Sequence, residues 1–342
     1  MTVIDAFAAA SDRELPTVAL ALDPGEVSAE FKRGLPRLAG EQGKVKVKSI
    51  TVTRHKPGRR CVIEYDVRVE RPDAPRRKAR LVGKIRARRY GTEGFRMLEA
   101  VWNAGFHAHS SDGISVPEPI GVIPRFKMWL QRKIIGAEAT TELLRRDGAL
   151  LARRLAEAIH KLHTAEVPAK RSHTMADELR ILHEHLPQVA EVKPELNRRI
   201  ARLLRACDRL GAALPPPTTC GIHRDFYPAQ VLVEQDRLFL LDFDLYCQGD
   251  PALDVGNFLG HLREMSLRQL GDSQALLDRE HAMEERFVEL AGPGTRPAVQ
   301  AYATLTLVRH VYLSTQFPER LPFTETLLEM CEERLNNISM AD

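Results

Sequence analysis

The sequence predicts an α+β protein with two lobes, a small antiparallel β lobe followed by a larger, mostly helical lobe. Two observations support this class. Between residues 44 and 132, several stretches alternate apolar and polar residues, which is the period of a half-buried strand. After residue 136, apolar residues recur at helical spacing almost to the C-terminus. With 342 residues, 44% of them hydrophobic, the chain is long enough to give each lobe a core.

The patterns divide the chain into a helical extension over residues 1–40, a β lobe over 41–133 and a helical lobe over 134–342. The extension holds one or two short helices. The β lobe holds three long strands, then one helix, then two shorter strands, in the stretches KVKVKSITVTRH, CVIEYDVRVE, KARLVGKIRA, TEGFRMLEAVWNAG and VPEPIGVIPRFKMWLQRKIIG. The helical lobe begins with DGALLARRLAEAIHKLHTAEVP, and further helices cover about 174–186 and 192–211.

The formal net charge of +4 hides an asymmetry between the lobes. Between Glu41 and Lys133 there are 22 Lys and Arg against 9 Asp and Glu, a balance of +13, which leaves −9 for the rest. No aromatic residues interleave with these cations as a stacking platform for bases requires. A solvated basic face is therefore favoured over nucleic-acid binding, and a kinase that acts on RNA is the weaker alternative.

The five cysteines lie far apart and form no Cys-x-x-Cys pair, so we expect reduced thiols rather than a disulfide framework or a zinc site. The N-terminal MTVIDAFAAASDRELP does not have the pattern of a signal peptide. No stretch approaches 18 uninterrupted apolar residues, the length that a membrane span needs. We therefore expect a cytoplasmic protein, of unknown oligomeric state.

The stretch GIHRDFYPAQVLVEQDRLFLLDFDLYCQGDPALD, residues 221–254, crowds acidic residues around one short hairpin. If its register is symmetric about Asp236, Gln230 lies opposite Asp242, with Cβ atoms roughly 5 Å apart. Asp225 enters the same end of the hairpin. Crowded carboxylates repel one another unless a cation holds them. The stretch therefore predicts one carboxylate that can accept a proton and two oxygen ligands, Asp242 and Gln230, for a hard cation such as Mg²⁺.

These residues resemble the aminoglycoside phosphotransferase and choline kinase family, whose members share the protein-kinase-like fold. The family pattern is His-x-Asp, four residues, Asn, a hairpin, Asp-Phe-x and then Gly-Asp-Pro-x-x-Asp. The resemblance extends over about residues 45–320 and is sharp between 221 and 260. In this sequence the pattern reads His223-x-Asp225, Gln230, Asp242-Phe243-Asp244 and Gly249-Asp250-Pro251-x-x-Asp254.

The resemblance implies a role for each of these positions. Asp225 is implied to be the base that accepts the proton of a substrate hydroxyl, and Asp242 to bind the Mg²⁺ that bridges the phosphates of ATP. His223 is implied to brace the loop by hydrogen bonding. Gln230 replaces the family's Asn; it keeps the amide oxygen one methylene further out, and the alternative is a weakened metal site.

Two further acids have predicted structural roles. Asp250 stands directly before Pro251, which is the usual arrangement of a helix N-cap followed by proline at the first helical position. Asp254, one turn later, can tie that helix back to the catalytic loop.

By the same resemblance, the β lobe binds the nucleotide. Lys84 is placed to grip the α- and β-phosphates, or is a solvent-facing strand lysine. Its acidic partner is Glu93, with Glu99 as the alternative, and the ion pair can also be absent. The backbone of Leu130–Arg132, centred on Gln131, is implied to hydrogen-bond adenine.

The turn between the first two long strands, KPGRR, stands where kinase-like folds cover the phosphates. It offers the backbone of Gly58 and the charge of Arg59 and Arg60 to phosphate oxygens, or it is a plain hairpin turn. The other histidines form no ligand set with nearby acids, and we expect them to be packing or surface residues.

The resemblance implies an ATP- and Mg²⁺-dependent phosphotransferase that acts on a hydroxyl of a small molecule, such as an aminoglycoside, amino sugar or amino alcohol. Six residues separate Asp242 from Gly249, too few for the peptide-docking segment of protein kinases. The acids of GDSQALLDREHAMEERFVEL are candidates to attract a cationic acceptor, or form a solvated helix face. The alternative function is a nucleotide-binding pseudokinase scaffold.

Overall fold

A computed structural model of the protein describes residues 1–33, 35–72, 74–87 and 92–339. The chain forms two compact units, Met1–Gly136 and Ala137–Asp342. The first unit is built on a β-sheet and the second is mostly helical, so the predicted α+β class is confirmed. Within the described ranges, no helix is long and apolar enough to cross a membrane.

The first unit contains a six-stranded sheet with the strand order β1-β2-β3-β4-β7-β6. The three long strands are antiparallel neighbours, as the alternating sequence predicts. The strands of the unit are β1 (Thr2–Ile4), β2 (Lys44–Lys56), β3 (Arg60–Arg71), β4 (Ala74–Arg86), β5 (Ile114–Ser115), β6 (Pro119–Ile123) and β7 (Met128–Arg132), of which β5 lies outside this sheet. Its helices are α1 (Thr17–Leu22), α2 (Pro24–Arg33), α3 (Pro36–Ala39) and α4 (Thr92–Asn103).

The N-terminal residues complete this unit rather than standing apart from it. Thr2, Val3 and Ile4, which the sequence analysis assigned to a helical extension, form β1 and pair in parallel with β2. The β-branched run suits an edge strand, and its shortness hid it from pattern analysis.

One face of the sheet packs on α1 and α2. The Tyr65 hydroxyl donates to the Ala21 carbonyl at 2.9 Å, and its ring centroid lies 5.0 Å from that of Phe31. Gly83 lies beside Met128 and Tyr65 so closely that a Cβ would collide with the Met128 sulfur. The apolar residues of each long strand on this face therefore form the core of the unit.

In the second unit, short strands carry the loops and helices supply the bulk. The strands are β8 (Ala137–Glu138), β9 (Cys220–Ile222), β10 (Val231–Glu234), β11 (Arg237–Leu240) and β12 (Cys247–Gly249). The helices are α5 (Ala139–Glu142), α6 (Gly148–Thr164), α7 (Met175–His185), α8 (Val189–Val192), α9 (Asn197–Ala213), α10 (Pro251–Leu270), α11 (Leu277–Ala291), α12 (Arg296–Thr315) and α13 (Thr324–Ser339).

Helices α10 and α12 lie at the centre of this unit, and most of their residues are buried. Gly256 and Gly260 on α10 face Tyr302, Ala303 and Thr306 on α12, where a Cβ would collide. The absence of side chains at these glycines lets the two helices pack closely. Strand β9 pairs antiparallel with β12, and β10 pairs with both β8 and β11.

Candidate active site

The His-x-Asp loop leaves the end of β9 and is held from two sides. His223 is fully buried, and its Nε2 donates to the Leu241 carbonyl at 2.7 Å. Its ring lies against Phe226 and Phe243, with centroids 5.9 and 5.0 Å away. His223 therefore has the bracing position that the resemblance implied.

Asp254, in the first turn of α10, fixes the backbone of the same loop. Its carboxylate accepts from the amides of His223 at 2.8 Å and Arg224 at 2.6 Å. His163 of α6 adds a third hydrogen bond to the carboxylate at 2.9 Å. The prediction that Asp254 ties its helix to the catalytic loop is confirmed, although the contribution of His163 was not foreseen.

The start of α10 also agrees with the sequence. The side chain of Asp250 accepts from the Ala252 amide at 2.9 Å, and Pro251 occupies the first helical position. Asp250 is therefore the N-cap that was predicted.

The register of the hairpin differs from the prediction by one residue. Val231 pairs with Leu240 and Glu234 with Arg237, so the turn consists of Gln235 and Asp236 alone. Gln235 adopts φ 55°, as a two-residue turn of the primed type requires. The amide of Leu241 donates to the Gln230 carbonyl at 2.9 Å, and Gln230 therefore lies opposite Leu241 and not Asp242.

Asp242 nevertheless lies near Asp225. It follows β11 with φ 59° and ψ 67°, a left-handed conformation that aspartate tolerates better than most residues and that turns the chain out of the strand. Its charge helps to raise the pKa of Asp225. The side-chain amide of Gln230 donates from Nε2 to Oδ2 of Asp225 at 3.4 Å. Asp225 is thus in contact with Gln230 and close enough to Asp242 to be affected by its charge, although strand register does not pair Gln230 with Asp242.

The surroundings of Asp225 favour the protonated form of its carboxyl group. Burial raises the pKa of its carboxyl, and Asp242 adds to the shift, while His223, Arg309 and the Gln230 amide act in the opposite direction with a smaller total effect. A carboxylate whose pKa is raised toward neutrality is a better proton acceptor than an ordinary aspartate.

The donor set fits a hard cation. Two carboxylates that repel each other and one amide are the ligand types that Mg²⁺ prefers, and a divalent charge would relieve the repulsion between Asp225 and Asp242. The Gln230 amide can present its oxygen by rotating half a turn, because its two ends have the same shape. Within the described residues, no group of three or more His, Cys, Asp or Glu side chains could hold a metal. A metal here would therefore need water or phosphate oxygens to complete its coordination.

In the first unit, the turn between β2 and β3 is held by the N-terminal segment. Gly58 has φ 65°, and its amide donates to Oδ2 of Asp12 at 2.9 Å. Nε2 of His55 contacts the same oxygen at 2.8 Å. The Gly58 amide, which the sequence analysis assigned to phosphate, thus already donates to a carboxylate.

Strand register shows which cations share a face with Lys84. Arg54, Val62, Lys84 and Trp129 stand in one row across four strands, and Lys84 Nζ lies 4.8 Å from the centroid of the Trp129 ring. The next row on that face consists of Lys56, Arg60 and Arg86. Arg60, rather than the exposed Arg59, therefore shares the face of Lys84. The neighbouring charge of Arg60, with burial and Arg54, lowers the pKa of Lys56.

The remaining nucleotide predictions receive less support. Glu93 is exposed in the first turn of α4, and the alternative Glu99 forms an ion pair with Arg37 at 3.2 Å. Gln131 lies inside β7, on the face of Lys84. The adjacent Arg132 amide donates to the Glu118 carbonyl within the sheet at 2.9 Å. Adenine binding by this backbone stays a prediction.

Residues 77–302 of the chain match a family model described as Phosphotransferase enzyme family. The protein belongs to this phosphotransferase family. A search of curated proteins found none that matches the chain. Among solved structures, a choline/ethanolamine kinase family protein from Mesorhizobium loti is 16% identical with a TM-score of 0.54, covering 91% of this chain and 94% of its own.

Two other solved structures have the same fold with similarly low sequence identity. A spectinomycin phosphotransferase with ADP and spectinomycin bound is 11% identical, with a TM-score of 0.52 over 85% of this chain and 92% of its own. A glucosamine kinase is 13% identical, with a TM-score of 0.54 over 91% of this chain and 99% of its own. At such identities these likenesses show the fold, and the predicted protein-kinase-like two-lobe class of this phosphotransferase is confirmed.

Sequence reasoning missed several residues that support the His-x-Asp loop and, in the first unit, the β2–β3 turn. Asn257 of α10 donates to the Phe226 carbonyl at 2.8 Å, and Arg309 of α12 donates to Asn257 Oδ1 at 2.5 Å. Asp12 and His163 lie far from the motif in sequence. The spacing of Asn257 three residues after Asp254 was a usable signal, since both face one side of α10; the other three residues gave none.

Proposed function

We propose that the protein is an ATP- and Mg²⁺-dependent phosphotransferase that transfers the γ-phosphate to a hydroxyl group of a small molecule. One observation carries the proposal. Asp225 is held beside Asp242 on a buttressed loop, with its carboxyl pKa raised by burial and by that neighbouring charge.

Asp225 would orient the acceptor hydroxyl and accept its proton as the oxygen attacks the γ-phosphorus. The bond from that phosphorus to the bridging oxygen breaks, ADP leaves, and the proton passes from Asp225 to solvent. Asp242 and Gln230 would hold Mg²⁺, whose role when bound is to neutralise charge on the phosphates. The protein would otherwise contribute by positioning the reactants, and the fixed backbone of residues 223–225 supports this role.

The nucleotide would be bound by the first unit, with its phosphates on the face that carries Lys84. The cationic row of Lys56, Arg60 and Arg86 on that face supports this placement, because a polyphosphate relieves repulsion between cations in register. Gln131 and Glu93 remain proposed residues of the nucleotide site, whereas the Gly58 amide already donates to Asp12 and Arg60 takes the place first expected of Arg59.

A small acceptor is favoured over a protein or nucleic acid. The segment between Asp242 and Gly249 includes a short 3₁₀ turn and the start of β12, and it offers no extended platform for a peptide. The solved structures named above are those of a choline/ethanolamine kinase family protein, a spectinomycin phosphotransferase and a glucosamine kinase, whose names indicate small-molecule acceptors.

The test is acceptor-stimulated release of ADP, measured with and without Mg²⁺ against a library of small hydroxyl compounds. We expect at least one compound to raise ADP release, and Mg²⁺ removal to abolish it. Nucleotide binding that persists without Mg²⁺, with no stimulation by any compound, would instead favour the pseudokinase, which the Gln230 contact with Asp225 makes the second candidate.

A further inference from the structure

Arg309 of α12 is engaged at both ends of its guanidinium group. Nη2 donates to Oδ1 of Asn257 on α10 at 2.5 Å, and Nη1 donates to Oε2 of Glu178 on α7 at 3.5 Å. Asn257 and Glu178 are both buried. One cation therefore joins three helices, and its guanidinium group has a fixed position between an amide and a carboxylate.

Asn257 extends this attachment to the His-x-Asp loop. Its Oδ1 accepts from Arg309 and, at 3.4 Å, from the hydroxyl of Thr306, and its Nδ2 donates to the Phe226 carbonyl at 2.8 Å. Because a guanidinium group only donates hydrogen bonds, Arg309 determines which end of the amide faces the loop. Phe226 directly follows Asp225, so Arg309 acts through one side chain on the backbone next to the proposed base.

Close packing of α10 and α12 makes this contact possible. Gly260 of α10 faces Thr306, and a Cβ at this glycine would collide with the threonine side chain. Thr306 and Arg309 are three residues apart and lie on the same side of α12. The approach that brings Thr306 against α10 therefore also brings Arg309 within reach of Asn257.

Glu178, at the other end of the guanidinium group, is held as well. It accepts from Nε2 of His173 at 2.6 Å, and the His173 amide donates to the Gln248 carbonyl of β12 at 2.9 Å. Despite burial, the hydrogen bond from His173 and the charges of Arg309, His173 and Arg224 lower the pKa of Glu178. Glu178 is therefore ionised at neutral pH, and moving Arg309 away would remove a partner from a buried charge.

The charges around Asp225 come from several elements. Burial raises the pKa of its carboxyl group and Asp242, after β11, adds to this, whereas His223 of the same loop, Arg309 of α12 and the Gln230 amide lower it. Arg309 is the member of this set that comes from outside the motif, since the others lie between residues 223 and 242. Its charge favours the ionised form of Asp225.

The two histidines beside Arg309 add no positive charge of their own at neutral pH. Nδ1 of His261 on α10 lies 3.2 Å from Nε2 of His310 on α12. Burial, with the charges of Arg309 and Arg320, lowers the pKa of His310 to about 3 and that of His261 well below its ordinary value. Both rings are therefore neutral in the pH range in which an aspartate with a raised pKa titrates.

We propose, resting on the function proposed above, that Arg309 is a positioning residue for the proposed base: through Asn257 it fixes the loop at Phe226 and holds a positive charge next to that loop. The charge favours the carboxylate form of Asp225, which is the form that accepts the proton of the acceptor hydroxyl. Arg309 itself touches no reacting atom.

Carbon-13 NMR of the Asp225 carboxyl group tests the effect of the charge on the full chain without ligands, with the Asp225→Asn spectrum to assign the signal. Arg309→Gln should raise the pKa of Asp225 by about 0.5–1 pH unit, because an opposite charge is lost. Arg309→Lys keeps the charge and should titrate near wild type. An unchanged pKa in Arg309→Gln overturns the proposal, and so does an equal rise in Arg309→Lys, which would reflect a structural disturbance.

The matched control for this titration is Arg296→Gln. Arg296 lies at the start of the same helix, where it is exposed and forms an ion pair with Glu284 at 3.3 Å. Its replacement removes an arginine and an ion pair from α12 without touching Asn257, and the pKa of Asp225 should stay at the wild-type value. A rise equal to that of Arg309→Gln would assign the effect to α12 as a whole and overturn the proposal.

Release of ADP from Mg²⁺–ATP, with water or a stimulating small hydroxyl compound as acceptor, tests the effect on the loop. At about pH 8, Asn257→Ala and Arg309→Lys should each lower kcat about tenfold or more and leave the KM for ATP nearly unchanged, because they disturb orientation rather than nucleotide binding. Arg309→Gln should also lose kcat/KM at a higher pH than wild type on acidification. Wild-type kcat in both Asn257→Ala and Arg309→Lys overturns the proposal, even if Arg309→Gln does not fold.

The two proposals fail separately. Acceptor-stimulated release of ADP that none of the Arg309 and Asn257 variants changes would sustain the phosphotransferase and overturn the role of Arg309. A raised pKa of Asp225 in Arg309→Gln, in a protein that no compound stimulates, would sustain the influence of Arg309 on the carboxyl group and contradict the proposed catalysis.

Discussion

Asp12 in the first unit holds the β2–β3 turn, Asp225 in the second unit lies on the His-x-Asp loop, and their carboxyl pKa values are shifted in opposite directions. Although burial opposes it, hydrogen bonds from Gly58, His55 and other donors lower the pKa of Asp12 in the first unit. In the second unit, burial and Asp242 raise the pKa of Asp225. Asp12 is surrounded by donors that stabilise its charge, whereas Asp225 is kept beside another acid.

The difference agrees with the roles proposed for the two carboxylates, structural for Asp12 and catalytic for Asp225. By linkage, ionised Asp12 stabilises the folded state above its unfolded pKa, about 3.9, and this contribution is lost as pH falls through its lower folded value. For Asp225 the sign is reversed: the folded state binds the proton more tightly, so ionisation at neutral pH costs stability. A carboxyl group that is costly to ionise suits the proposed role of base, and burial also raises the pKa of the structural N-cap Asp250.

The largest effect is expected from Asp225→Asn, which removes the base and keeps its shape. We expect kcat to fall by about 10²–10⁴-fold, the usual contribution of general-base catalysis, with nucleotide affinity nearly unchanged. ADP release and calorimetry measure the two. Asp236→Asn, the same change in the exposed hairpin turn, should behave as wild type. If the Asp225 variant kept more than about a tenth of the wild-type kcat, Asp225 would not be the base.

On the structural side of the comparison, Asp12→Ala should destabilise the first unit. It leaves Gly58 and His55 without their shared acceptor, a loss of about 1–3 kcal/mol in the free energy of unfolding. The deficit should persist from neutral pH down to about pH 4 and shrink below it, because protonation removes the charge from wild-type Asp12 as well. Urea unfolding measures it, with the exposed Glu41→Gln as control. An unchanged free energy of unfolding would show that Asp12 does not hold the turn.

A smaller effect is expected from Gln230→Asn, which restores the family's usual residue. The change shortens the side chain by one methylene, so that in a loop adapted to glutamine the amide ends roughly 1.5 Å short of the proposed metal position. Because Mg²⁺ tolerates little deviation from octahedral geometry, the variant should need more Mg²⁺ and have a lower kcat. Titration of activity with Mg²⁺ tests this. Gain of activity would favour the pseudokinase, and unchanged kinetics would leave Gln230 without a role in metal binding.

The smallest effect is expected when two adjacent arginines at the β2–β3 turn, Arg59 and Arg60, are replaced one at a time. Arg60→Gln should raise the KM for ATP several-fold, about the worth of one partly exposed charged contact, whereas Arg59→Gln should change it little. The reason is register: Arg60 stands across from Lys56 and Arg86 on the face of Lys84. If only Arg59→Gln raised the KM for ATP, the phosphate contact would lie in the turn, as the sequence alone suggested.

The sequence predicted what depends on short-range pattern. Alternation located the three long strands, and the Asp-Pro pair located the start of α10, because both are local consequences of backbone geometry. The hairpin register failed by one residue, since its two-residue turn depends on Gln235 accepting a positive φ, which its residue type does not signal.

Contacts between distant segments escaped prediction for a different reason. The attachments of Asp12 to Gly58 and of Arg309 to Asn257 join residues 46 and 52 positions apart. No periodicity encodes such pairs; they follow from how helices and strands pack. A candidate for the base, Asp225, could thus be named from its motif, while the residues that set its electrostatic surroundings could not be predicted.

The central claim, that Asp225 is held ionised at a cost to stability, is tested most directly by the free energy of unfolding of Asp225→Asn relative to wild type across pH 4–8, without ligands. The account predicts a variant that is more stable than wild type at neutral pH, with the gap narrowing as pH falls toward the ordinary pKa of aspartate. A variant that is less stable at neutral pH, or a gap independent of pH, would contradict it.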